Sequence, residues 1–139
     1  MEAAAMKAIA RRWILGIWDD GDVSLLNELA SPGYSFSAPG RSDLRGEAFS
    51  NLVAAMQAGF PDKRNTIDYQ IAEGNRVVTR GTTRGTHRGD FEGIAATGRE
   101  IAVPWVMITE FAGDKIVSDW EIYDVLGVMQ QLGVMPAGA

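Results

Sequence analysis

The 139-residue sequence contains no cysteine and one histidine, His87. The first absence excludes disulfides, thiolate nucleophiles and cysteine-ligated zinc or iron–sulfur centres. The second leaves no histidine cluster for a metal, and no serine sits in a G-x-S-x-G setting to begin a hydrolase triad. Positive charge is also scarce: 13 Lys and Arg face 18 Asp and Glu, a net charge of −5. No basic run exists to neutralise phosphates, so nucleic acid is not an expected partner. No apolar run approaches the roughly 18–20 residues of a membrane span, and the N-terminus shows no signal-peptide pattern. A cytoplasmic protein without a membrane partner is expected. The glycines between Gly81 and Gly98 follow neither G-x-G-x-x-G nor P-loop spacing, so nucleotide binding is not expected.

What is present is a globular composition, 46% hydrophobic and 22% charged. A chain of this size buries about 68% of its unfolded surface in one core, so residues 1–139 are expected to form a single domain, fraying at 136–139. Residues 4–18 follow a helical period ending near Asp19-Asp20-Gly21. Asp22 can cap a short helix, Val23 to Ala30, stopped by Ser31-Pro32-Gly33. Tyr34 to Ser37 alternates like a short strand, and a third helix is expected from about Asp43 to Gly59. From residue 64 the period becomes two. Thr66–Ala72, Arg76–Arg88, Arg99–Phe111 and Lys115–Asp124 read as strands joined by short turns, hence antiparallel, with a terminal helix from Val125 to Leu132. The fold class is α+β, a curved antiparallel sheet packed on three N-terminal helices.

Alternation sorts the strand faces. In one strand Ile101, Val103, Trp105, Met107, Thr109 and Phe111 share a side; in the next, Val117, Asp119, Glu121 and Tyr123 do. A regular hairpin about residues 112–114 sets Trp105 opposite Glu121 and Met107 opposite Asp119. Two carboxylates on an otherwise apolar face either pair with Arg80, Arg84 or Arg88 in a structural network or form a general acid/base in an apolar cleft. Trp18, Tyr34, Phe60, Trp105, Met107 and Tyr123 are the candidate walls of that cleft. His87 is a further catalytic candidate whose plainer reading is a turn anchor. Gly81 and Gly85 share its strand face and leave room for a ligand or a close-packed element.

The segment Arg84-Gly85-Thr86-His87-Arg88-Gly89-Asp90-Phe91-Glu92-Gly93-Ile94 with Thr97-Gly98-Arg99, the tail from Gly113 to Leu132-Gly133 and Phe60-Pro61-Asp62 together resemble the SnoaL-like polyketide cyclases, or ester cyclases. The resemblance implies the cone-shaped fold shared with nuclear transport factor 2, ketosteroid isomerase, scytalone dehydratase and limonene epoxide hydrolase. It implies intramolecular aldol ring closure, with no cofactor and no metal, on an aromatic polyketide or similar hydrophobic carbonyl compound. The family's catalytic Asp falls on Glu121, and a family histidine fourteen residues earlier falls on Met107. Hydration, epoxide opening, cofactor-independent hydroxylation and non-catalytic binding of a small hydrophobic molecule are alternatives on the same cone. Trp120, Ile122, Val106 and Ile108 point to the outer face, an apolar patch that predicts a homodimer unless the terminal helix covers it.

Overall fold

The computed structural model describes residues 1–136. Helix α1 (Ala3–Trp18) buries Met6, Ala10, Trp13, Ile14 and Ile17, the stripe that a 3.6-residue period places on one face. The following helix is shorter than its sequence suggests: α2 spans Leu25–Leu29, and Asp22 instead closes the preceding turn by accepting from Ser24 N and Oγ. Strand β1 (Ala30–Ala38) begins at once, so Ser31-Pro32-Gly33 lies in a strand rather than stopping the helix. Its ladder to β6 is irregular between Ala30 and Ser35, which accommodates a proline that has no N–H to give. Strand β2 (Arg41–Leu44) pairs back on β1 and displaces the expected start of the third helix, so α3 covers Gly46–Gly59.

Four long strands follow: β3 (Arg64–Glu73), β4 (Arg76–Thr86), β5 (Glu100–Ala112) and β6 (Lys115–Tyr123). The six-stranded sheet has the order β2-β1-β6-β5-β4-β3. Every pair is antiparallel except β1 with β6, which run parallel and set Phe36 beside Asp119. The final helix, α4 (Val125–Gln131), is capped by the Asp124 carboxylate, which accepts from Gly127 N. The fraying expected of residues 136–139 falls, from 137 on, outside the described residues. Among the described residues no helix is long and apolar enough to cross a membrane.

Two apolar clusters fill the concave side. The larger joins α1, α3 and the inner faces of the strands around Trp13, Phe49, Tyr34 and Phe36. The smaller, Phe60, Phe91, Ile101, Val103, Val128 and Leu132, seals the other end beneath α4. Gln131 fixes α4 there by bonding both the N–H and the carbonyl of Ala102 (2.7 and 3.0 Å). α4 thus covers the inner end of the sheet and leaves the outer patch open, with Trp120 41% and Ile122 44% exposed.

Gly81 explains how the sheet's interior is filled. A Cβ there would lie 2.3 Å from Trp105 Cζ2, so the missing side chain admits the indole of the residue paired with it across the ladder. Gly85 likewise admits Phe60 and Lys63. The room these glycines leave is occupied by the protein itself.

Candidate active site

Strand β6 carries both carboxylates, and a bulge decides where they point. Phe111 pairs with Ile116 but Glu110 pairs with Ser118, so Val117 is an extra residue. Beyond it the partners are Thr109 with Asp119, Met107 with Glu121 and Trp105 with Tyr123, a register two residues displaced from the regular hairpin. The bulge inverts the phase of alternation, which is why Ile116 is fully buried although Asp119 and Glu121 also face inward.

Asp119 is 2% exposed and saturated with donors. Oδ2 accepts from Trp13 Nε1 (2.8 Å) and Tyr34 OH (2.6 Å), and Oδ1 accepts from Thr109 Oγ1 (2.5 Å). Burial pushes its pKa up while the three donors hold it down, with burial the larger effect. Tyr34 is raised well above its ordinary range by burial and by the adjacent Asp119 carboxylate. The group therefore ties α1, β1, β5 and β6 together at one point.

Glu121, two residues on, has the opposite surroundings. Among the described residues no donor reaches its carboxylate, and it lines a cavity of about 100 Å³. Trp105, Met107, Phe60, Phe91 and Tyr123 supply much of the apolar wall. Burial and then the neighbouring Asp119 raise Glu121 to about 7, against an opposing pull from Lys63. A carboxyl group with that pKa is populated in both protonation states near neutrality and can accept or return a proton. Neither acid pairs with an arginine: Arg80 bonds Asp68 (2.6 Å), while Arg84 and Arg88 form no ion pair among the described residues.

Of the six wall residues expected from sequence, Trp18, Phe60, Trp105, Met107 and Tyr123 line the cavity. Tyr34 does not; its hydroxyl is spent on Asp119. His87 also lies off the cavity. Its ring stacks on Phe60 (5.3 Å between centroids), Nδ1 bonds Thr97 Oγ1 (2.9 Å) and accepts from Thr97 N (3.2 Å). Its backbone pairs with Arg99 O and Gly98 N, so it anchors the loop that carries Phe91 to the cavity wall.

Two polar lining residues from the segment before Thr66, and Thr83 on β4, lie outside the sequence expectation. Asn65 Oδ1 accepts from Trp105 Nε1 (2.9 Å) and Thr83 Oγ1 (2.5 Å), fixing the indole plane. Lys63 is 6% exposed. Period-two alternation continued backward from Ile67 reaches both, but the strand was expected to begin only at Thr66. An open groove of about 390 Å³ lies beside the cavity and shares Met56 and Phe91 with it. The ion pair of Arg41 with Glu92 borders that groove.

Comparison with known proteins follows the same lines. The family model for SnoaL-like polyketide cyclases matches residues 8–132. A candidate polyketide cyclase from Acidithiobacillus ferrooxidans has 27% identity and a TM-score of 0.83, with 96% of this chain and 99% of that one covered. IdmH, a candidate polyketide cyclase from Streptomyces antibioticus, has 26% identity and a TM-score of 0.80, covering 92% and 98%. AclR, a candidate hydroxylase from Streptomyces galilaeus, has 24% identity and a TM-score of 0.86, covering 99% and 87%, a likeness of fold. A comparison with curated proteins gives no match.

Proposed function

The chain belongs to the SnoaL-like polyketide cyclase family, and we propose that it is a cofactor-independent acid/base enzyme acting on a hydrophobic carbonyl compound through Glu121. The supporting observation is a carboxyl group raised to about 7, free of protein donors, in an apolar cavity. In the reaction Glu121 takes a proton alpha to a carbonyl, the resulting enolate carbon attacks a second carbonyl of the same molecule, and the new alkoxide takes the proton back. The sum is an isomerisation that consumes no co-reactant. Asp119 contributes by raising the Glu121 pKa and by fixing β6, and it touches no substrate.

The cavity is comparable with the roughly 150 Å³ void that accepts benzene in an engineered protein core, so as it stands it takes one ring. A polyketide of several rings would have to displace Met56 or Phe91 and extend into the neighbouring groove. Opening an epoxide by a carboxylate–arginine pair has no support, because among the described residues no arginine lines the cavity. Hydrogen–deuterium exchange alpha to the carbonyl of cyclohexanone, followed by proton NMR, tests the proton transfer itself. The wild-type protein should accelerate exchange and Glu121→Gln should not; equal rates would overturn the assignment, and binding of the ketone without exchange would favour a non-catalytic carrier.

We further propose that the protein is a homodimer through the outer face of the sheet, supported by the uncovered Trp120 and Ile122. Sedimentation of the wild type at twice the monomer mass, and of Trp120→Glu at the monomer mass, is the expected result.

A further inference from the structure

Lys63 has no task in the proton transfer assigned to Glu121. It is 6% exposed, a rare condition for lysine, and burying an ammonium costs free energy that a carboxylate partner ordinarily offsets. No such partner lies within ion-pair distance among the described residues. Nζ donates to Gln57 Oε1 (2.7 Å), and that amide is aimed by its own Nε2, which donates to the Asp19 carbonyl (3.2 Å). An ammonium has three donors, so two remain unspent on a residue that lines the cavity together with Glu121.

The position is also rigidly made. The preceding residue, Asp62, accepts from Thr86 N and Thr86 Oγ1, both at 2.7 Å, which fixes the turn against the end of β4. Gly85 completes the fit, since a Cβ there would lie 3.3 Å from Lys63 Cα. Of the charges that act on Lys63, Asp19 is the strongest and favours the cation, Arg64 opposes it, and Glu121 and Asp20 add smaller support. Burial outweighs them and lowers the amine to about 8, so it remains a cation at neutral pH.

We propose that Lys63 is a substrate-binding residue whose ammonium receives the anionic oxygen of the ligand, so that the cavity selects compact enolisable carbonyl compounds placed with oxygen toward Lys63 and carbon toward Glu121. This rests on the cavity being a site for a carbonyl compound. Removal of the alpha proton moves negative charge onto oxygen, and a fixed cation in a largely apolar cavity stabilises that charge more than it stabilises the neutral ketone. The chain thus brings a proton acceptor and an oxyanion-binding cation to one cavity, one from β6 and one from the residue before β3.

The probe is 4-nitrophenol, a one-ring compound whose colourless phenol and yellow phenolate mimic the neutral and enolate states. At mildly acidic pH, where the free probe is mostly phenol, the wild-type protein should bind it as the yellow phenolate. Lys63→Met should bind about tenfold more weakly or worse and show no yellow form, since a hydrogen bond to a charged group is lost. Nitrobenzene should bind both proteins alike, which shows an intact cavity, and Lys63→Gln should repeat the loss if the methionine variant folds poorly. Glu121→Gln should keep the yellow form. An unchanged phenolate signal in both lysine variants, loss of it in Glu121→Gln as well, or a wild type that binds only the phenol would each overturn the proposal. The ketone exchange assay reads Glu121 separately, so either reading can fail while the other stands.

Discussion

Asp119 and Glu121 are the same kind of group two residues apart on one strand face, and the protein treats them oppositely. Asp119 is surrounded by three donors from three other elements and has no access to the cavity. Glu121 has none and borders the cavity beside Met107, its partner across the ladder. A carboxylate that is fully bonded holds structure together, and one left without donors retains its capacity to react. The difference arises from what α1 and β1 bring: Trp13 and Tyr34 reach Asp119, and nothing comparable reaches Glu121.

The comparison is most sharply tested by removing each acid in turn. Glu121→Gln should lower alpha-proton exchange by about 10²–10⁴-fold, the usual contribution of a general acid/base, with no loss in the urea unfolding midpoint. Asp119→Ala should act mainly on stability, costing about 3–5 kcal/mol in urea denaturation because three buried donors lose their acceptor. A large stability loss in Glu121→Gln would erase the distinction between the two groups.

The pH dependence of stability separates them further. Glu121 is raised in the folded protein from an ordinary value near 4.5 to about 7, so the native state holds its proton more tightly than the unfolded chain does. That contribution is fully present below about 4.5 and is lost as pH rises through about 7. Urea midpoints should therefore fall between about pH 4.5 and 7, and Glu121→Gln should flatten the fall. Lys63 acts with the opposite sense at higher pH: lowered to about 8, its burial penalty fades above that value, and Lys63→Met should remove this recovery. The smallest effect is expected of Tyr34→Phe, which deletes one of three bonds to Asp119 and should cost about 1 kcal/mol by the same denaturation measurement, leaving exchange nearly unchanged.

The sequence carried more of the scaffold than of the site. The strict alternation from Ile101 to Phe111 identifies the inner face of β5, and the Trp105 and Met107 positions on the cavity follow from it. The inward direction of Asp119 and Glu121 was also legible, but their partners were not. A bulge at Val117 leaves only an indirect trace, the burial of Ile116 out of phase with its neighbours. Strand β2 was hidden because Arg41-Ser42-Asp43-Leu44 has little strand preference, and Asp43 there takes a positive φ of 53°. Lys63 was invisible for a different reason: composition makes a lysine after Pro-Asp look like a solvated turn, whereas in the fold it is buried against the return of β4 at Gly85. Sequence patterns report faces; they do not report which polar residue a distant element will enclose.

The parallel pairing of β1 with β6 has a kinetic consequence. The bond from Trp13 to Asp119 spans 106 residues, and β6 meets β1 only after nearly the whole chain is available. The β3, β4, β5 and β6 hairpins are local and can zip early, whereas docking of the N-terminal segment must close a long loop before any contact rewards it. Until then β6 is an open edge with a charged inner face, and the surroundings that distinguish its two carboxylates do not exist. Assembly of the site is therefore expected to coincide with the slowest, most long-range step of folding.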